Sequence, residues 1–302
     1  MKADEIKNQV KKSYGEIAKG KTQTGCCGDT ACCETTTMQE SYEHIEGYQK
    51  EADLALGCGL PTEIANIKIG DTVIDLGSGA GNDVFVARSI VGETGKVIGI
   101  DMTPEMVVRA IENNKKLGYQ NVGFILGDIE EMTDVPNNIA DVVVSNCVMN
   151  LVPNKEKAFL EIHRVLKEGG HFSISDIVYV GQLPENILEV AEMYAGCVSG
   201  ASEKSAYLGI IKSAGFKNIQ IKKERLITLP DELLLVYLSQ EELELFKASS
   251  SGIYSITIYA DKLEQGTCCD SSDDICCGVE NKEGTTTSCC QKSSKQTNFC
   301  CN

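Results

Sequence analysis

Between residues 72 and 178, the apolar positions follow two different periods in turn. Short runs rich in Val and Ile alternate with longer segments in which apolar residues recur every three or four positions. The short runs are typical of buried strands and the longer segments of helices packed on one face. The predicted strands are Thr72–Leu76, Lys96–Asp101, Asn121–Leu126, Asp141–Ser145 and His171–Val178. The predicted helices are Asn82–Val91, Pro104–Leu117 and Lys155–Lys167.

This strand–helix alternation predicts the fold class. Strands separated by helices of ten or more residues pair in parallel through right-handed crossovers. We therefore expect an α/β fold with a doubly wound, mostly parallel sheet. Thr103 and Pro104 mark one helix start, as N-cap and first helical residue, and Gly169 with Gly170 is expected to close the helix before the fifth strand.

The remaining pattern divides the chain into four parts. Residues 1–66 are an N-terminal segment containing cysteines, with a loose loop expected at 20–38, and residues 67–180 are the sheet core. Residues 181–262 form an appended α/β portion that completes the sheet. Residues 263–302 are polar and rich in cysteine, which predicts a flexible, disordered tail. The predicted elements of the appended portion are the helices Leu183–Val198, Glu203–Ala214 and Asp231–Lys247 and the strands Asn218–Thr228 and Ile253–Ala260.

Charge excludes two classes of partner. The chain has 28 Lys and Arg against 44 Asp and Glu, a formal net charge of −16. Nucleic acids and anionic membranes both attract basic faces, so we expect neither as a partner. The sequence contains no run of 18 apolar residues, and the N-terminus lacks the apolar stretch of a secretory signal. These features predict a cytoplasmic protein with a small, neutral or cationic substrate.

Cysteine is the unusual component of this composition. Fifteen cysteines in a reducing compartment favour metal, metalloid or redox chemistry over a disulfide framework. Four lie near the N-terminus, three stand alone, and eight form adjacent pairs beyond residue 267. Adjacent pairs lack the spacing of a zinc site but could chelate a soft ion, so the tail either captures metalloid or is dispensable.

A glycine-rich turn follows the first predicted strand. Glycines occupy positions 77, 79 and 81, whereas a dinucleotide-binding turn would need a glycine at position 82, which is Asn82. With Asp75 before it, the turn resembles the first motif of class I S-adenosylmethionine-dependent methyltransferases, whose sheet is Rossmann-like. A tight turn without a ligand is the alternative. The resemblance implies S-adenosylmethionine as cofactor, with Asp101 accepting hydrogen bonds from the ribose and Asp128–Ile129 contacting the adenine. The expected cofactor-binding residues are Asp75, Gly77, Ser78, Gly79, Gly81, Asp101, Met102, Asp128, Ile129 and Asn146.

Three isolated cysteines carry a second resemblance. Taken singly, each is a candidate buried hydrophobic residue, although Cys58 lies between two glycines and is expected to be mobile and poorly packed. Together, the segments Gly57–Leu60, Ser145–Val148 and Gly196–Cys197 resemble the three thiol motifs of arsenite methyltransferases. The segments Asp101–Met106 and Ile174–Ile177 are similar to the bacterial and archaeal branch of that family. The resemblance extends from about Val10 to Lys262.

The resemblance implies a chemistry that suits these residues. Trivalent arsenic is thiophilic, so thiolates are its natural ligands. Cys147 and Cys197 would bind arsenite or its thiol conjugates, with Cys58 as a third thiol, and the arsenic lone pair would accept the methyl group without a general base. The segment Thr24–Cys27 resembles the one that holds a fourth functional thiol in the family. Cys58 would then form a disulfide with Cys26 or Cys27, and thioredoxin or glutathione would reduce it.

The resemblance thus implies methylation of arsenite for detoxification, and two other functions are alternatives to it. A carbon- or oxygen-methylating enzyme acting on a quinone-like small molecule would need no thiols. A metalloid-binding protein would keep the fold and the thiols but would not turn over.

Overall fold

The computed structural model describes residues 3–20, 40–184, 187–188, 198 and 200–263. The predicted loop at 20–38 and the predicted tail lie outside these residues, except at their first positions, and so does most of the predicted helix Leu183–Val198. The helices are α1 (Ala3–Ala18), α2 (Pro61–Ile64), α3 (Asn82–Val91), α4 (Pro104–Leu117), α5 (Lys155–Val165), α6 (Lys204–Ser213), α7 (Asp231–Leu234) and α8 (Gln240–Ala248). The strands are β1 (Thr72–Leu76), β2 (Lys96–Asp101), β3 (Val122–Leu126), β4 (Ala140–Asn146), β5 (Leu166–Val180), β6 (Ser202–Glu203), β7 (Lys217–Leu226) and β8 (Gly252–Asp261).

These strands form one sheet. Its order is β3-β2-β1-β4-β5-β8-β7, with β6 beside β5. The strands from β3 through β5 pair in parallel, whereas β8 runs antiparallel to both β5 and β7. The predicted doubly wound, mostly parallel sheet is confirmed. The order reverses between β1 and β4, which is where folds of this class bind their ligands, at the carboxyl ends of the strands.

Alternate residues of each strand bury on opposite faces of the sheet. On β1, Val73 packs into the cluster that includes Val84 and Phe85 of α3, and Ile74 packs into the cluster that includes Phe159 of α5 and Tyr207 of α6. All six are fully buried. Helices therefore cover both faces, which holds the carboxyl edge of the sheet rigid beneath the candidate site.

Two predicted helices end differently in the structure. The helix predicted over Lys155–Lys167 ends at Val165, because Leu166 already pairs with Ala140 of β4, and Gly169 and Gly170 fall inside β5. The single helix predicted over Asp231–Lys247 is wrong: α7 ends at Leu234 and α8 begins after Ser239. Ser239 and Glu242 form a capping box, a sequence signal that marks the second start.

The structure also contains helices that the sequence pattern did not predict. The sixteen residues of α1 are mostly polar and only Gly15 is buried, although Ile6, Val10, Tyr14 and Ile17 recur at helical spacing. Thr103 is the N-cap of α4, as predicted, but its side chain makes no capping hydrogen bond. Within the described ranges, no helix combines the length and the apolar character needed to cross a membrane.

Candidate active site

A cleft opens at the carboxyl ends of β1, β2 and β4, at the reversal of strand order. Its volume is about 1060 Å³, including its open mouth. Nine of the ten predicted cofactor-binding residues line it: Asp75, Gly77, Ser78, Gly79, Asp101, Met102, Asp128, Ile129 and Asn146. Gly81 is absent from the lining and serves as the N-cap of α3, with φ of +98°.

Two glycines of the turn are required for different reasons. Gly77 has φ of +68°, and a Cβ atom there would lie 2.4 Å from Val148 Cγ2, so the residue after Cys147 packs directly on the turn. Gly79 has φ of +52°, but a Cβ atom there would meet no protein atom within 4 Å. The space beside Gly79 belongs to the cleft, so this backbone can approach a ligand closely.

Three buried carboxyl groups give the cleft its electrostatic character. Burial, together with the charges of Asp83 and Asp101, holds the pKa of Asp75 well above its ordinary value. Burial also raises the pKa of Asp101, although its carboxylate accepts hydrogen bonds from the backbone N–H of Gly79 (2.9 Å) and of Thr103 (2.8 Å). Burial without a nearby cation raises the pKa of a carboxyl group in this way. A positively charged ligand in the cleft would stabilise the ionised form of both groups.

The turn also holds polar atoms that suit a bound cofactor. Ser78 Oγ and Asn82 Oδ1 are buried and have no hydrogen-bond partner among the described residues, and both residues line the cleft. Buried polar groups are normally paired, so two such atoms in one turn indicate a place for a polar ligand. Together with the carboxylates and the open space at Gly79, the residues present fit S-adenosylmethionine.

The structure brings two of the predicted thiols to the same place. Cys147 follows β4, lines the cleft and is 3 % exposed, and it shares one apolar cluster with Cys58, which is fully buried. The expectation that Cys58 is poorly packed is therefore wrong, because its flanking glycines let the backbone pass close to the sheet: a Cβ atom at Gly59 would lie 2.6 Å from Ser175 Oγ. Cys58 itself packs among aliphatic side chains.

The backbone at Cys147 adopts an unusual conformation. Its φ is +59°, in the left-handed region that residues with a side chain rarely occupy. A hydrogen bond of 2.8 Å from its N–H to the carbonyl of Ser175 on β5 holds it there. Conformations of this kind cost about 1–3 kcal/mol and cluster at functional sites.

The side-chain amide of Asn146 joins the two thiol segments. Its Oδ1 accepts hydrogen bonds from the backbone N–H of Cys58 (3.0 Å) and of Gly59 (3.3 Å). Its Nδ2 donates to the carbonyl of Gly59 (2.8 Å) and to the hydroxyl of Tyr42 (2.7 Å). Asn146 was expected to bind the cofactor. Although it lines the cleft, most of its hydrogen bonds hold the Cys58 loop.

A buried Asp–Tyr pair lies near both thiols. The Tyr207 hydroxyl donates to Asp176 Oδ2 (3.0 Å), and both side chains are fully buried. Burial raises the pKa of Asp176 to about 7, against hydrogen bonds from the Ile177 N–H and the Tyr207 hydroxyl. Burial and the charge of Asp176 raise the pKa of Tyr207, and the nearby thiols of Cys58 and Cys147 add to that shift.

Helix α1 covers the end of the cleft that contains Asp128 and Glu130. Lys7 Nζ lies 2.7 Å from Asp128 Oδ2 and 2.5 Å from Glu130 Oε2, and Lys7, Val10 and Tyr14 all line the cleft. These three residues share one face of the helix by their spacing. An N-terminal helix is therefore part of the site.

Three predicted catalytic residues lie outside the described residues. They are Cys26, Cys27 and Cys197. Within the described residues, no group of three His, Cys, Asp or Glu could hold a metal ion. The predicted arsenic ligands Cys58 and Cys147 are thus placed, and the third is not.

Comparison with known proteins identifies the family. Residues 67–215 match the model of a methyltransferase domain. An arsenic(III) S-adenosylmethionine methyltransferase from Chlamydomonas reinhardtii, known from a crystal structure, is 31% identical in sequence to this chain. The match covers 71% of this chain and 69% of the algal protein in that structure, and the two superpose with a TM-score of 0.58. The chain belongs to the arsenite methyltransferase family.

Curated members of the arsenite methyltransferase family agree with this assignment. The chain is 39% identical to an arsenite methyltransferase of Halobacterium salinarum over 234 residues, which is 72% of this chain. It is 35% identical to the human arsenite methyltransferase over 242 residues, 76% of this chain. The matched regions span only 59% and 63% of those two relatives.

The sequence pattern did not predict several residues of the site. Tyr42, Asp83 and Lys7 belong to no recognised motif. Asp83 had one available signal, because an acidic residue in the first turn of a helix that follows a glycine-rich turn faces the ligand-binding edge of the sheet. Tyr42 and Lys7 had none, because their partners Asp83, Asp128 and Glu130 are distant in sequence.

Proposed function

We propose that this protein transfers methyl groups from S-adenosylmethionine to trivalent arsenic bound by its cysteine thiols. The observation that carries the proposal is the position of Cys58 and Cys147, which share one apolar cluster while Cys147 also lines the cleft. A quinone-like substrate would need no thiol at this position. Two buried thiols held beside the cleft match the preference of arsenic(III) for soft ligands.

The cleft residues would bind and orient the donor. The carboxylates of Asp75 and Asp101 attract its positive charge, and Ser78 and Asn82 offer unpaired polar atoms. Asp128 and Ile129, which also line the cleft, would contact the adenine. S-adenosylmethionine supplies an electrophilic methyl group on a sulfonium. The apolar side chains around the thiols keep water away from arsenic, which protects a reaction that depends on positioning.

The thiols would bind and later reduce the arsenic. Arsenite condenses with Cys147 and Cys58, and with Cys197 as a third ligand, each new S–As bond releasing one water that takes the thiol proton. The arsenic lone pair accepts the methyl group, which raises arsenic formally from the trivalent to the pentavalent state. The thiol of a second cysteine then attacks the arsenic-bound sulfur of Cys58. The S–As bond of Cys58 breaks, its electron pair stays on arsenic and returns it to the trivalent state, the thiol proton goes to solvent, and the two sulfurs form a disulfide. We assign the disulfide to Cys58 with Cys26 or Cys27, and its reduction to thioredoxin or glutathione.

Arsenic speciation tests the proposal directly. The full-length protein is incubated with arsenite, S-adenosylmethionine and either thioredoxin or glutathione, and the products are separated and quantified. We expect methylated arsenicals from the wild type and none above background from Cys147→Ser or Cys58→Ser. Cys33→Ser, which replaces a cysteine without an assigned role, is the matched control and should keep the wild-type rate.

The competing functions predict other outcomes. If the serine variants methylate a quinone-like acceptor as well as the wild type does, the protein is a carbon- or oxygen-methyltransferase. If the wild type binds arsenite through its thiols but yields no methylated product with either reductant, it is a metalloid-binding protein.

A further inference from the structure

A hydrogen-bond network connects the start of α3 with the loop that carries Cys58. Asp83, the second residue of α3, accepts the hydroxyl proton of Tyr42, whose oxygen lies 2.9 Å from both Oδ1 and Oδ2. Asp83 also accepts from Thr62 Oγ1 (3.4 Å), and its Oδ2 lies 3.3 Å from Asn146 Nδ2. Tyr42, Thr62 and Asp83 are all buried, at 2 %, 3 % and 7 % exposure.

Each side-chain donor of this network has an acceptor for each of its hydrogens. The hydroxyl of Tyr42 has one proton, which Asp83 accepts, and its oxygen accepts from Asn146 Nδ2 at 2.7 Å. The other Nδ2 proton goes to the carbonyl of Gly59, and Oδ1 receives the backbone N–H of Cys58. Every hydrogen of the amide is used, so rotating it would break several bonds at once. The position of the Cys58 loop is therefore set by Asn146, and that of Asn146 by Tyr42 and Asp83.

The loop fits this network only because Gly57 has no side chain. A Cβ atom at Gly57 would lie 2.7 Å from Asn146 Nδ2. The carbonyl of Cys58 also accepts a hydrogen bond of 2.6 Å from Ser255 Oγ on β8. The loop is thus held between β8 on one side and the Asn146 amide on the other, with Cys58 fully buried between them.

The same network faces the cleft. Tyr42, Asp83 and Asn146 all line it, and the carboxyl group of Asp83 is buried with those of Asp75 and Asp101 nearby. Any ligand in the cleft excludes the water that would replace the hydrogen bonds to Asp83 if the network opened. This favours the closed network over an opened one, which is the differential interaction that coupling between two sites requires.

We propose that Asp83 is a positioning residue that acts through Tyr42 and Asn146 to couple occupancy of the cleft to the order of the Cys58 loop. With the cleft filled, the loop holds the Cys58 thiol beside Cys147; with the cleft empty, the loop opens more often. The proposal deepens the proposed function, on which it rests for the identity of the ligand. By reciprocity, a ligand that orders the loop also tightens binding in the cleft by the same factor.

Alkylation of Cys58 measures this coupling. Because Cys58 is fully buried, iodoacetamide reaches it only when the loop opens, so the rate reports opening. The full-length protein is treated with and without saturating S-adenosylhomocysteine, and mass spectrometry of the Cys58 peptide gives the rate at this residue alone. We expect S-adenosylhomocysteine to slow alkylation of wild-type Cys58 at least 5-fold.

Two variants separate coupling from simple shielding. In Asp83→Asn and Tyr42→Phe we expect Cys58 to be alkylated about 5-fold faster than in the wild type when no ligand is present. Adding S-adenosylhomocysteine should change the alkylation rate of these variants less than 2-fold, and calorimetry verifies that the ligand saturates them. Tyr119→Phe removes a hydroxyl from a residue that packs on Phe85 of the same helix and should behave as the wild type. Thermal unfolding of each variant shows that it is folded, and Tyr42→Phe decides the matter if Asp83→Asn does not fold.

Either of two results would overturn the proposal. One is a wild-type alkylation rate that S-adenosylhomocysteine does not change. The other is equal protection in the wild type and in Tyr42→Phe, which would mean that the ligand shields Cys58 without the network. The measurement uses no arsenic, so a failure to methylate arsenite would leave it standing, and its own failure would leave arsenic methylation untouched.

Discussion

The backbone N–H of Cys58 donates a hydrogen bond of 3.0 Å to the side chain of Asn146, which lies 88 residues later in the chain and directly before Cys147. One amide therefore fixes the distance between two segments that each bear a thiol. A ligand bound by both sulfurs needs them held at a set spacing before it arrives, because ordering them afterwards would weaken binding.

We expect Asn146→Ala to separate the two thiols without unfolding the protein. The variant leaves the N–H groups of Cys58 and Gly59 without their partner and removes one of the two donors to the carbonyl of Gly59, which should lower the free energy of unfolding by about 2 kcal/mol. The rate of arsenite methylation should fall about 10- to 100-fold, because alignment is lost. Urea unfolding and arsenic speciation measure the two effects.

Asn114→Ala is the control for this variant. Asn114 donates one hydrogen bond to the carbonyl of Tyr119, near the end of α4 and far from both thiols in sequence. It should lose stability and keep its methylation rate. Equal loss of rate in the two alanine variants would show that Asn146 matters only for stability.

Gly77 and Gly79 should respond differently to the same substitution. Gly77→Ala places a methyl group 2.4 Å from Val148 Cγ2 in a left-handed conformation, and we expect the free energy of unfolding to fall by about 3 kcal/mol. Gly79→Ala shares the backbone strain, about 1 kcal/mol, but meets no protein atom within 4 Å. Its main effect should therefore be a weakening of S-adenosylhomocysteine binding by at least 10-fold, measured by calorimetry.

A double variant tests the physical reason given for Gly77. Val148→Ala removes the methyl groups that obstruct the new side chain, so Gly77→Ala with Val148→Ala should lose less stability than the sum of the two single variants. Strict additivity would mean that Gly77 is required for its backbone conformation and not for the contact with Val148.

The sequence predicted the sheet and the glycine turn because each depends on residues that are neighbours in the chain. The run Thr72–Leu76 and the turn that follows it contain their own signals. Cys58 could not be placed in this way: its burial depends on Ser175, Ser255 and Asn146, which approach only when β4, β5 and β8 pair. Local composition suggested a mobile thiol, and tertiary contacts overrode it.

Lys7 should contribute to binding in the cleft, although it lies in a helix that the sequence did not predict. Lys7→Met leaves Glu130, whose side chain is 8 % exposed, without its cation, and frees Asp128, which lines the cleft. We expect the dissociation constant of S-adenosylhomocysteine to rise about 3- to 10-fold. Lys12→Met, an exposed position of the same helix, is the control, and an equal rise in both variants would assign the effect to helix charge.

The buried carboxyl group of Asp176 should make stability depend on pH. Its pKa is raised from 3.8 to about 7 in the folded protein, so folding favours the protonated form. The stability that this group contributes is complete below about pH 3.8 and is lost as the pH rises through about 7. Between pH 5 and pH 8 the loss amounts to about 3 kcal/mol.

Asp176→Asn cannot ionise, and its Oδ1 can still accept the Tyr207 hydroxyl. The fall in unfolding free energy from pH 5 to pH 8, measured with urea, should therefore be smaller in Asp176→Asn than in the wild type by about that amount. Asp141→Asn, at a half-exposed carboxylate paired with Lys167, is the control and should keep the wild-type dependence. If Asp176→Asn also keeps it, Asp176 is not the group that folding holds protonated.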